Sequence, residues 1–193
     1  MPLENLLNLG YFSQDELRSC KFRKLGSNVY ISKKATIIGE HNISIGNFVR
    51  IDDNCVIVAD RGDLKIGNYV HIGSSSHITC AGEIEMRDFS SISQGVKLYS
   101  VSDDYSGASL TNSTIPLNFK NEELGKITLG KHVIVGSGSV VLPGVFIGDG
   151  AAVGALSLVT LDLKPWGIYH GNPAHFIKPR QQKLLGAEKD LTN

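Results

Sequence analysis

An aliphatic residue returns at every sixth position over most of the chain. From Leu129 to Val159 the repeat is unbroken, and upstream it comes in groups of three separated by eight or nine residues. Neither an α-helix, with a period of 3.6, nor a single strand, with a period of two, has this spacing. The eighteen positions are Leu25, Ile31, Ile37, Ile45, Ile51, Ile57, Ile66, Ile72, Ile78, Met86, Ile92, Leu98, Leu129, Val135, Val141, Ile147, Val153 and Val159.

Insertions fall only after every third repeat, which indicates a triangular coil with six residues on each side. We therefore predict an all-β parallel β-helix of about six coils, with the aliphatic side chains stacked inside it. Strands about 4.8 Å apart make this prism roughly 29 Å long. Cys55 is predicted to be a small core residue. Corner pairs such as Gly46–Asn47 and Gly67–Asn68 are expected to adopt the left-handed backbone conformation.

The two ends of the chain carry different signals. Ser13 to Glu16 matches a capping box, which predicts a short N-terminal helix whose Leu17 covers the first coil. Residues 175–185 are predicted to form a second helix on the last coil. The expected organisation is an N-terminal helical cap at 1–23, a β-helix at 24–163 and a C-terminal turn and helix at 164–193.

Composition and charge exclude several classes of protein. Nineteen basic residues balance nineteen acidic ones, which excludes both the basic field of nucleic-acid binders and an acidic disordered chain. Met1 to Gly10 lacks the features of a signal peptide, and no apolar run approaches the ~18 residues of a membrane span. Cys20, Cys55 and Cys80 fit reduced thiols better than a disulfide framework. We therefore expect a cytoplasmic protein.

The repeat over residues 24–179 resembles that of the hexapeptide-repeat acyltransferases. The resemblance implies a left-handed parallel β-helix, a homotrimer, and an acyl-coenzyme A cosubstrate that lies in a groove between neighbouring chains. Small residues let coenzyme A approach the backbone, and the positions implied here are Gly136–Ser137 and Gly154–Ala155, one coil apart. The other implied contacts are Thr160 and, for the phosphates, His175, Lys178 and Arg180.

The 28-residue insertion at 99–126 is the first candidate for function, because long loops in tightly turned chains usually carry it. It opens with two adjacent carboxylates, Asp103 and Asp104, followed by Tyr105. From the chemistry alone, either one carboxylate lies in a poorly solvated cleft or both belong to a solvated acidic turn. Related sugar O-acetyltransferases typically carry a His where Asp103 stands. A hydroxyl needs a base of near-neutral pKa, whereas an amine must only lose a proton as it attacks. Asp103 therefore favours an amino acceptor.

The loop most resembles that of the nucleotide-linked 4-amino-4,6-dideoxysugar N-acyltransferases of the anthrose-pathway type. The shared stretches are Ser13–Leu17, Val49–Asp53, Asp103–Gly107, Thr114–Pro116 and Lys131–Ile134. The resemblance implies transfer of an acetyl or other short acyl group from acyl-coenzyme A to the amine of a sugar such as dTDP-4-amino-4,6-dideoxyglucose, for surface glycans such as O-antigen. It implies Asp103 as the base and Ser93 as a sugar contact. Asp104, Tyr105 and His132 are further substrate-binding candidates.

Two other hypotheses stay open. A sugar O-acetyltransferase would use His77 or His132 as its base, and a non-catalytic β-helical scaffold would bind no coenzyme A. His71 and His77 are predicted on successive sides of the prism because they are six residues apart. No three-His spacing matches the zinc site of the β-helical carbonic anhydrases, so no metal is expected.

Overall fold

The chain folds into a left-handed parallel β-helix whose three sheets form the sides of a triangular prism. The computed structural model describes residues 9–192, so part of the predicted N-terminal cap (residues 1–8) and Asn193 lie outside the described residues. Sequential strands occupy the three sheets in turn, and each coil pairs in parallel with the next. The predicted fold class is confirmed.

The strands follow one another around the prism. The first sheet contains β1 (Lys24–Leu25), β4 (Ile43–Ile45), β7 (Leu64–Ile66), β10 (Ile84–Met86), β15 (Ile127–Leu129) and β18 (Phe146–Ile147). The second contains β2 (Tyr30–Ile31), β5 (Arg50–Ile51), β8 (His71–Ile72), β11 (Ser91–Ile92), β16 (Ile134–Val135), β19 (Ala152–Val153), β21 (Gly167–His170) and β22 (His175–Pro179). The third contains β3 (Thr36–Ile38), β6 (Val56–Val58), β9 (His77–Thr79), β12 (Lys97–Tyr99), β17 (Val140–Val141) and β20 (Leu158–Val159).

The predicted aliphatic positions stack in register, one column for each sheet. In the third column, for example, Ile57 pairs with Ile78, which pairs with Leu98. Sixteen of the eighteen side chains are buried, and the two that are half-buried, Leu25 and Ile37, lie in the first coil. Each buried aliphatic side chain contributes about 1.5–3 kcal/mol, as an upper estimate. The prediction of the core is confirmed.

A partial seventh coil follows the six complete ones. Leu163 extends the first column by pairing with Ile147, and Tyr169 extends the second by pairing with Val153. Each lies sixteen residues after its partner instead of eighteen. The sequence pattern did not predict the seventh coil, because this coil is shorter and has an aromatic residue in place of an aliphatic one.

The corner between the first and second sheets, here the first corner, carries a ladder of stacked rings. Phe48 stacks on Tyr69 with ring centroids 4.7 Å apart, Tyr69 on Phe89 at 4.8 Å, and Phe89 on His132 at 5.1 Å. All four residues have φ between 56° and 61°, a conformation that is strained for bulky residues. Stacking offsets part of that strain.

The expected left-handed conformation at Gly46 and Gly67 is wrong, because the aromatic residues two positions later adopt it instead. These glycines are required for a different reason. A Cβ on Gly46 would lie 2.6 Å from the carbonyl oxygen of Gly67, and one on Gly67 would lie 2.5 Å from Asp88 Oδ1. At these two positions the neighbouring coil is therefore too close for any side chain.

A short helix covers the N-terminal coil, as the capping box predicts. Helix α1 (Gln14–Ser19) begins after Ser13, whose Oγ accepts a hydrogen bond from the Glu16 amide while its own amide donates to Glu16 Oε2. Leu17 is buried against the first coil. The cap removes apolar surface and an open end from solvent.

The predicted helix over residues 175–185 is wrong. This segment begins with strand β22, which turns back antiparallel to β21, and helix α2 follows at Leu184–Thr192. Pro179 cannot occupy a helix interior, and the free edge of β21 favours a pairing strand. The Pro is the sequence signal that marks the boundary.

Two cysteines belong to the core. Cys55 and Cys80 are fully buried, whereas Cys20 is exposed, and all three are free thiols. Burial raises the pKa of the Cys80 thiol to about 11, which makes it an unreactive thiol at neutral pH. Neither of the helices found within residues 9–192 is long and apolar enough to cross a membrane.

Ile78 and Ile37 belong to the same aliphatic column, but we expect Ile78→Ala to destabilise the protein much more than Ile37→Ala. Ile78 is fully buried between coils, whereas Ile37 is half-buried at the open first coil. The Ile78 cavity should lower the free energy of unfolding by about 2–5 kcal/mol. Urea denaturation of both variants measures the difference, and equal losses would contradict the assigned register.

Candidate active site

The corner between the second and third sheets, the second corner, places three of the candidate residues in one column. Ser93, Gly136 and Gly154 each follow a strand of the second sheet. The Ser93 amide donates to the Val135 carbonyl at 2.9 Å, and the Gly136 amide donates to the Val153 carbonyl at 2.8 Å. We call Ser93, Gly136 and Gly154 the second-corner column.

Small residues are needed in this column for close packing of the coils. A Cβ on Gly136 would lie 2.4 Å from the Ala155 amide nitrogen, and one on Gly154 would lie 2.8 Å from His170 Nδ1. Ser137 and Ala155, the next residues, are exposed. The exposed positions of this corner are therefore Ser137, Ala155 and Leu156, beside the half-buried Gly136 and Gly154.

The C-terminal strand carries two of the basic candidates. His175 and Lys178 are exposed on β22, with Lys178 aligned to Ile168 of β21. Arg180 is placed differently, since its Nη1 donates to the carbonyls of His132 and Gly150 at 2.8 and 3.0 Å. Arg180 thus also holds the last coils together.

Within one chain, Thr160 lies at a different corner from the second-corner column. It follows β20 at the corner between the third and first sheets, the third corner. The second-corner column and Thr160 are therefore separated by the width of the third sheet. A ligand that contacts both positions would bridge two corners or two copies of the chain.

The long insertion projects from the third corner, and it begins and ends in a two-stranded ribbon. Strands β13 (Val101–Ser102) and β14 (Glu123–Leu124) pair antiparallel at its base, and a 3₁₀ turn covers Leu117–Phe119. Exposed apolar side chains cluster in this segment, namely Tyr105, Leu110, Leu117, Phe119 and Leu124. An arm this apolar is typical of a surface that a partner covers.

Asp103 follows β13 directly, and 41% of its side chain is exposed. Its Oδ1 lies 3.4 Å from Lys120 Nζ. Lys120 also lies 2.8 Å from Glu122 Oε1, and Glu122 Oε2 lies 2.8 Å from Arg61 Nη1. Four charged groups thus run from Asp103 to the body of the prism.

Asp104 organises the loop itself. Its Oδ1 accepts a hydrogen bond from the Ser106 amide at 2.8 Å, and its Oδ2 accepts one from Ser109 Oγ at 2.8 Å. These bonds lower the pKa of Asp104. Tyr105 is 93% exposed. The two adjacent carboxylates therefore differ, since Asp104 forms a solvated turn while Asp103 faces Lys120.

Ser93 and Asp103 lie at opposite ends of β12, one before and one after it. His77 lies at the Ser93 end, at the start of β9, where the preceding Ser76 Oγ donates to the Ser93 carbonyl at 3.1 Å. His77 Nε2 is 3.1 Å from Thr79 Oγ1. Ser76 and Ser93 thus meet, whereas the His77 ring lies 5.8 Å from the ring of Tyr99 at the other end of β12, and Asp103 lies beyond that end. His71 lies on the second sheet, so the prediction of successive sides for His71 and His77 is confirmed.

His132 lies at the first corner, separated from the insertion at the third corner by the width of the first sheet. Its ring is 8% exposed, stacks on Phe89, and places Nε2 2.8 Å from Glu188 Oε2 of helix α2. Lys131 Nζ also contacts Glu188. These contacts fasten α2 to the prism. No group of three or more potential metal ligands occurs among the described residues 9–192.

Sequence reasoning missed Lys120, Glu122 and Arg61. Arg61 lies sixty-one positions before Glu122, and nothing in the sequence distinguishes these residues from ordinary surface charges. One weak sequence signal was present. Arg61 and the long loop both lie in insertions at the third corner, which places them on the same edge of the prism.

Comparisons with known proteins agree on one family. No protein-family model matches the chain. A dTDP-4-amino-4,6-dideoxy-D-glucose acyltransferase of Escherichia coli is 42% identical over 180 residues, covering 93% of this chain and 94% of the relative. The chain belongs to the family of the dTDP-4-amino-4,6-dideoxyglucose acyltransferases.

Solved structures support the same assignment for this acyltransferase. AntD, an N-acyltransferase from Bacillus cereus in complex with dTDP and coenzyme A, superposes with a TM-score of 0.91 and 43% identity, covering 96% of this chain and 98% of that chain. Another AntD structure contains dTDP-4-amino-4,6-dideoxyglucose and coenzyme A, with the same TM-score of 0.91 and the same coverage. A more distant relative, a chloramphenicol acetyltransferase of Klebsiella aerogenes, is 33% identical over 66% of this chain and 59% of its own length.

The solved AntD variants also bear on the site of this acyltransferase. They carry substitutions at a serine and at an aspartate that lie ten positions apart. Ser93 and Asp103 are likewise a serine and an aspartate ten positions apart.

We expect Glu188→Gln to loosen helix α2 at neutral pH. Lys131 first and His132 second lower the pKa of Glu188 in the folded protein. Because the folded pKa is lowered, this contact stabilises the fold above the unfolded pKa of about 4.5, and the contribution is lost as pH falls through the acid range.

Hydrogen exchange of the α2 amides measures this effect. At pH 7 the protection of α2 should fall several-fold in Glu188→Gln, whereas the difference from the native protein should shrink below about pH 4. Lys189→Gln, on an exposed position of the same helix, is the matched control. Equal protection of α2 in native protein and Glu188→Gln at pH 7 would contradict the role of this contact.

Proposed function

We propose that this acyltransferase moves an acetyl or other short acyl group from acyl-coenzyme A to the 4-amino group of dTDP-4-amino-4,6-dideoxyglucose. The observation that carries the proposal is the likeness over nearly the whole chain to AntD in complex with that sugar nucleotide and coenzyme A. The free cysteines fit a reducing, cytoplasmic compartment, and an acylated sugar nucleotide is suited to surface-glycan synthesis.

Asp103 is the proposed base. The neutral amine attacks the thioester carbonyl carbon, and a C–N bond forms as the carbonyl oxygen takes negative charge. Backbone amides at the site stabilise this oxyanion. The Asp103 carboxylate holds the amine and accepts the proton that its nitrogen loses. Collapse of the tetrahedral intermediate then breaks the C–S bond. The coenzyme A thiolate takes the proton from Asp103, leaving an amide and free coenzyme A.

Ser93 is the proposed sugar contact, and the rest of the second-corner column is the proposed coenzyme A surface. The small residues Gly136–Ser137 and Gly154–Ala155 support an extended pantetheine arm there, because Ser137 and Ala155 are exposed and carry short side chains. Thr160, His175, Lys178 and Arg180 remain the proposed further contacts, with the exposed His175 and Lys178 best placed for phosphates. Asp104, Tyr105 and His132 are the weaker candidates, because Asp104 and His132 are engaged within the fold.

We propose that the site is completed in a homotrimer. Ser93 and Asp103 lie at opposite ends of β12, and the arm that carries Asp103 exposes five large apolar side chains. A neighbouring copy that covers this arm would bring Asp103 of one chain to the second-corner column of another. We expect a solution mass of three times the 20.9 kDa chain, measured by light scattering. A monomer with full activity would contradict this arrangement.

The alternative function is O-acetylation with a His base. It is favoured by one observation, that the His77 ring lies 5.8 Å from the ring of Tyr99, the first residue of the long insertion. In that case neutral sugars would be substrates, and His77→Gln would abolish turnover.

The release of thiol from acetyl-coenzyme A tests the acceptor. We expect release with dTDP-4-amino-4,6-dideoxyglucose and none above background with its 4-hydroxy counterpart, because the proposed base serves an amine. Equal release with both sugars would contradict N-acyl transfer. Tight coenzyme A binding with release from neither would exclude this acceptor and leave the fold standing.

Substitution of the base tests the mechanism. Asp103→Asn keeps the shape of the side chain but cannot accept the proton, so kcat should fall by about 10²-fold or more. His77→Gln should keep turnover within a few-fold of the native value. The same assay at pH 6 to 9 measures both variants. Near-native turnover of Asp103→Asn across this range would contradict the assignment.

A further inference from the structure

We infer that Lys120 is a positioning residue that fixes the carboxylate of Asp103 for the incoming amine. The inference rests on the proposed function, in which Asp103 is the base. It concerns the four charged side chains that run from Asp103 through Lys120 and Glu122 to Arg61.

The Lys120 side chain is only 6% exposed, although it lies in an insertion at the surface. A buried ammonium is costly unless carboxylates compensate it. Lys120 has two such partners, and Glu122 first, then Asp103, raise its pKa. Lys120 therefore stays protonated at neutral pH, so that it cannot accept a proton from an amine and cannot itself be the base.

The two contacts of Lys120 are unequal. Its Nζ lies 2.8 Å from Glu122 Oε1 but 3.4 Å from Asp103 Oδ1, beyond the usual range of a strong charge-assisted hydrogen bond. Glu122 thus balances most of the ammonium charge. Asp103 is held at one oxygen, by the longer of the two contacts of Lys120. Within the described residues, Oδ2 of Asp103 accepts no hydrogen bond, and this oxygen is the one we assign to the amine.

The network also ties the arm to the prism. Glu122 is anchored by Arg61 Nη1 at 2.8 Å, and Arg61 belongs to the third-corner insertion between β6 and β7. The Lys120 amide donates to the Leu117 carbonyl at 3.1 Å, which fixes the backbone beneath the side chain. Both the side chain and the backbone of Lys120 are thus held in place. Lys120 therefore restricts the movement of the Asp103 carboxylate that it contacts.

Lys120→Met and Lys120→Arg test this role, with Lys126→Met as the matched control. Lys126 lies in the same insertion and also contacts two carboxylates, Glu83 and Glu85, at 3.2 Å, but it does not contact Asp103. We expect Lys120→Met to lower kcat about tenfold to a hundredfold with KM for both substrates within about twofold. Lys120→Arg should recover most of the loss, and Lys126→Met should keep the native kcat.

A double-mutant cycle with Asp103→Asn separates positioning from a structural role. If Lys120 acts through Asp103, adding Lys120→Met to Asp103→Asn lowers kcat little further. Losses that multiply, or no loss in Lys120→Met alone, would overturn the inference while leaving Asp103 as the base. Native kcat in Asp103→Asn would instead overturn the proposed function. If Lys120→Met fails to fold, Lys120→Gln takes its place in the cycle under the same criteria.

Discussion

The in-register stacking of three aliphatic columns is the constraint on which the whole structure depends. Each coil buries one aliphatic side chain on each side of the prism, and it can do so only if six residues complete each side. A one-residue slip in any coil would turn its aliphatic residues outward. Additional residues are therefore confined to the corners, and the long insertion at 99–126 leaves the prism at one of them, the third corner.

The same constraint determines which residues the corners can carry. At the first corner the coils come so close that Gly46 and Gly67 tolerate no side chain, and aromatic rings take up the strained conformation beside them. At the second corner the same closeness requires glycine at positions 136 and 154. The proposed coenzyme A surface would thus reuse residues that the fold needs for packing.

The sequence allows much of this to be predicted, because a period of six leaves few architectures. The columns, the capping box at Ser13 and the buried Cys55 all follow from local pattern. The chain's ends were harder to predict. The seventh coil is shortened and uses Tyr169, and β22 forms because the open edge of β21 attracts a partner, which is a tertiary effect. The placement of His71 and His77 on successive sides of the prism follows from their spacing of six residues.

The contacts around Asp103 could not be predicted in the same way. Lys120, Glu122 and Arg61 meet only because two insertions leave the same corner, and loop conformation has no period from which to infer it. Their geometry gives Asp103 a defined orientation and leaves Asp104 to shape the turn. The two adjacent carboxylates therefore have different surroundings, which agrees with the proposal that only Asp103 is the base.

The linkage in the product tests the central claim, N-acyl transfer, most directly. The sugar nucleotide formed from acetyl-coenzyme A and dTDP-4-amino-4,6-dideoxyglucose is isolated and treated with neutral hydroxylamine, which cleaves esters and spares amides. The account predicts an acetyl group that resists hydroxylamine and lies on the 4-amino nitrogen by NMR. An acetyl group released as the hydroxamate would show transfer to a hydroxyl, and would contradict it.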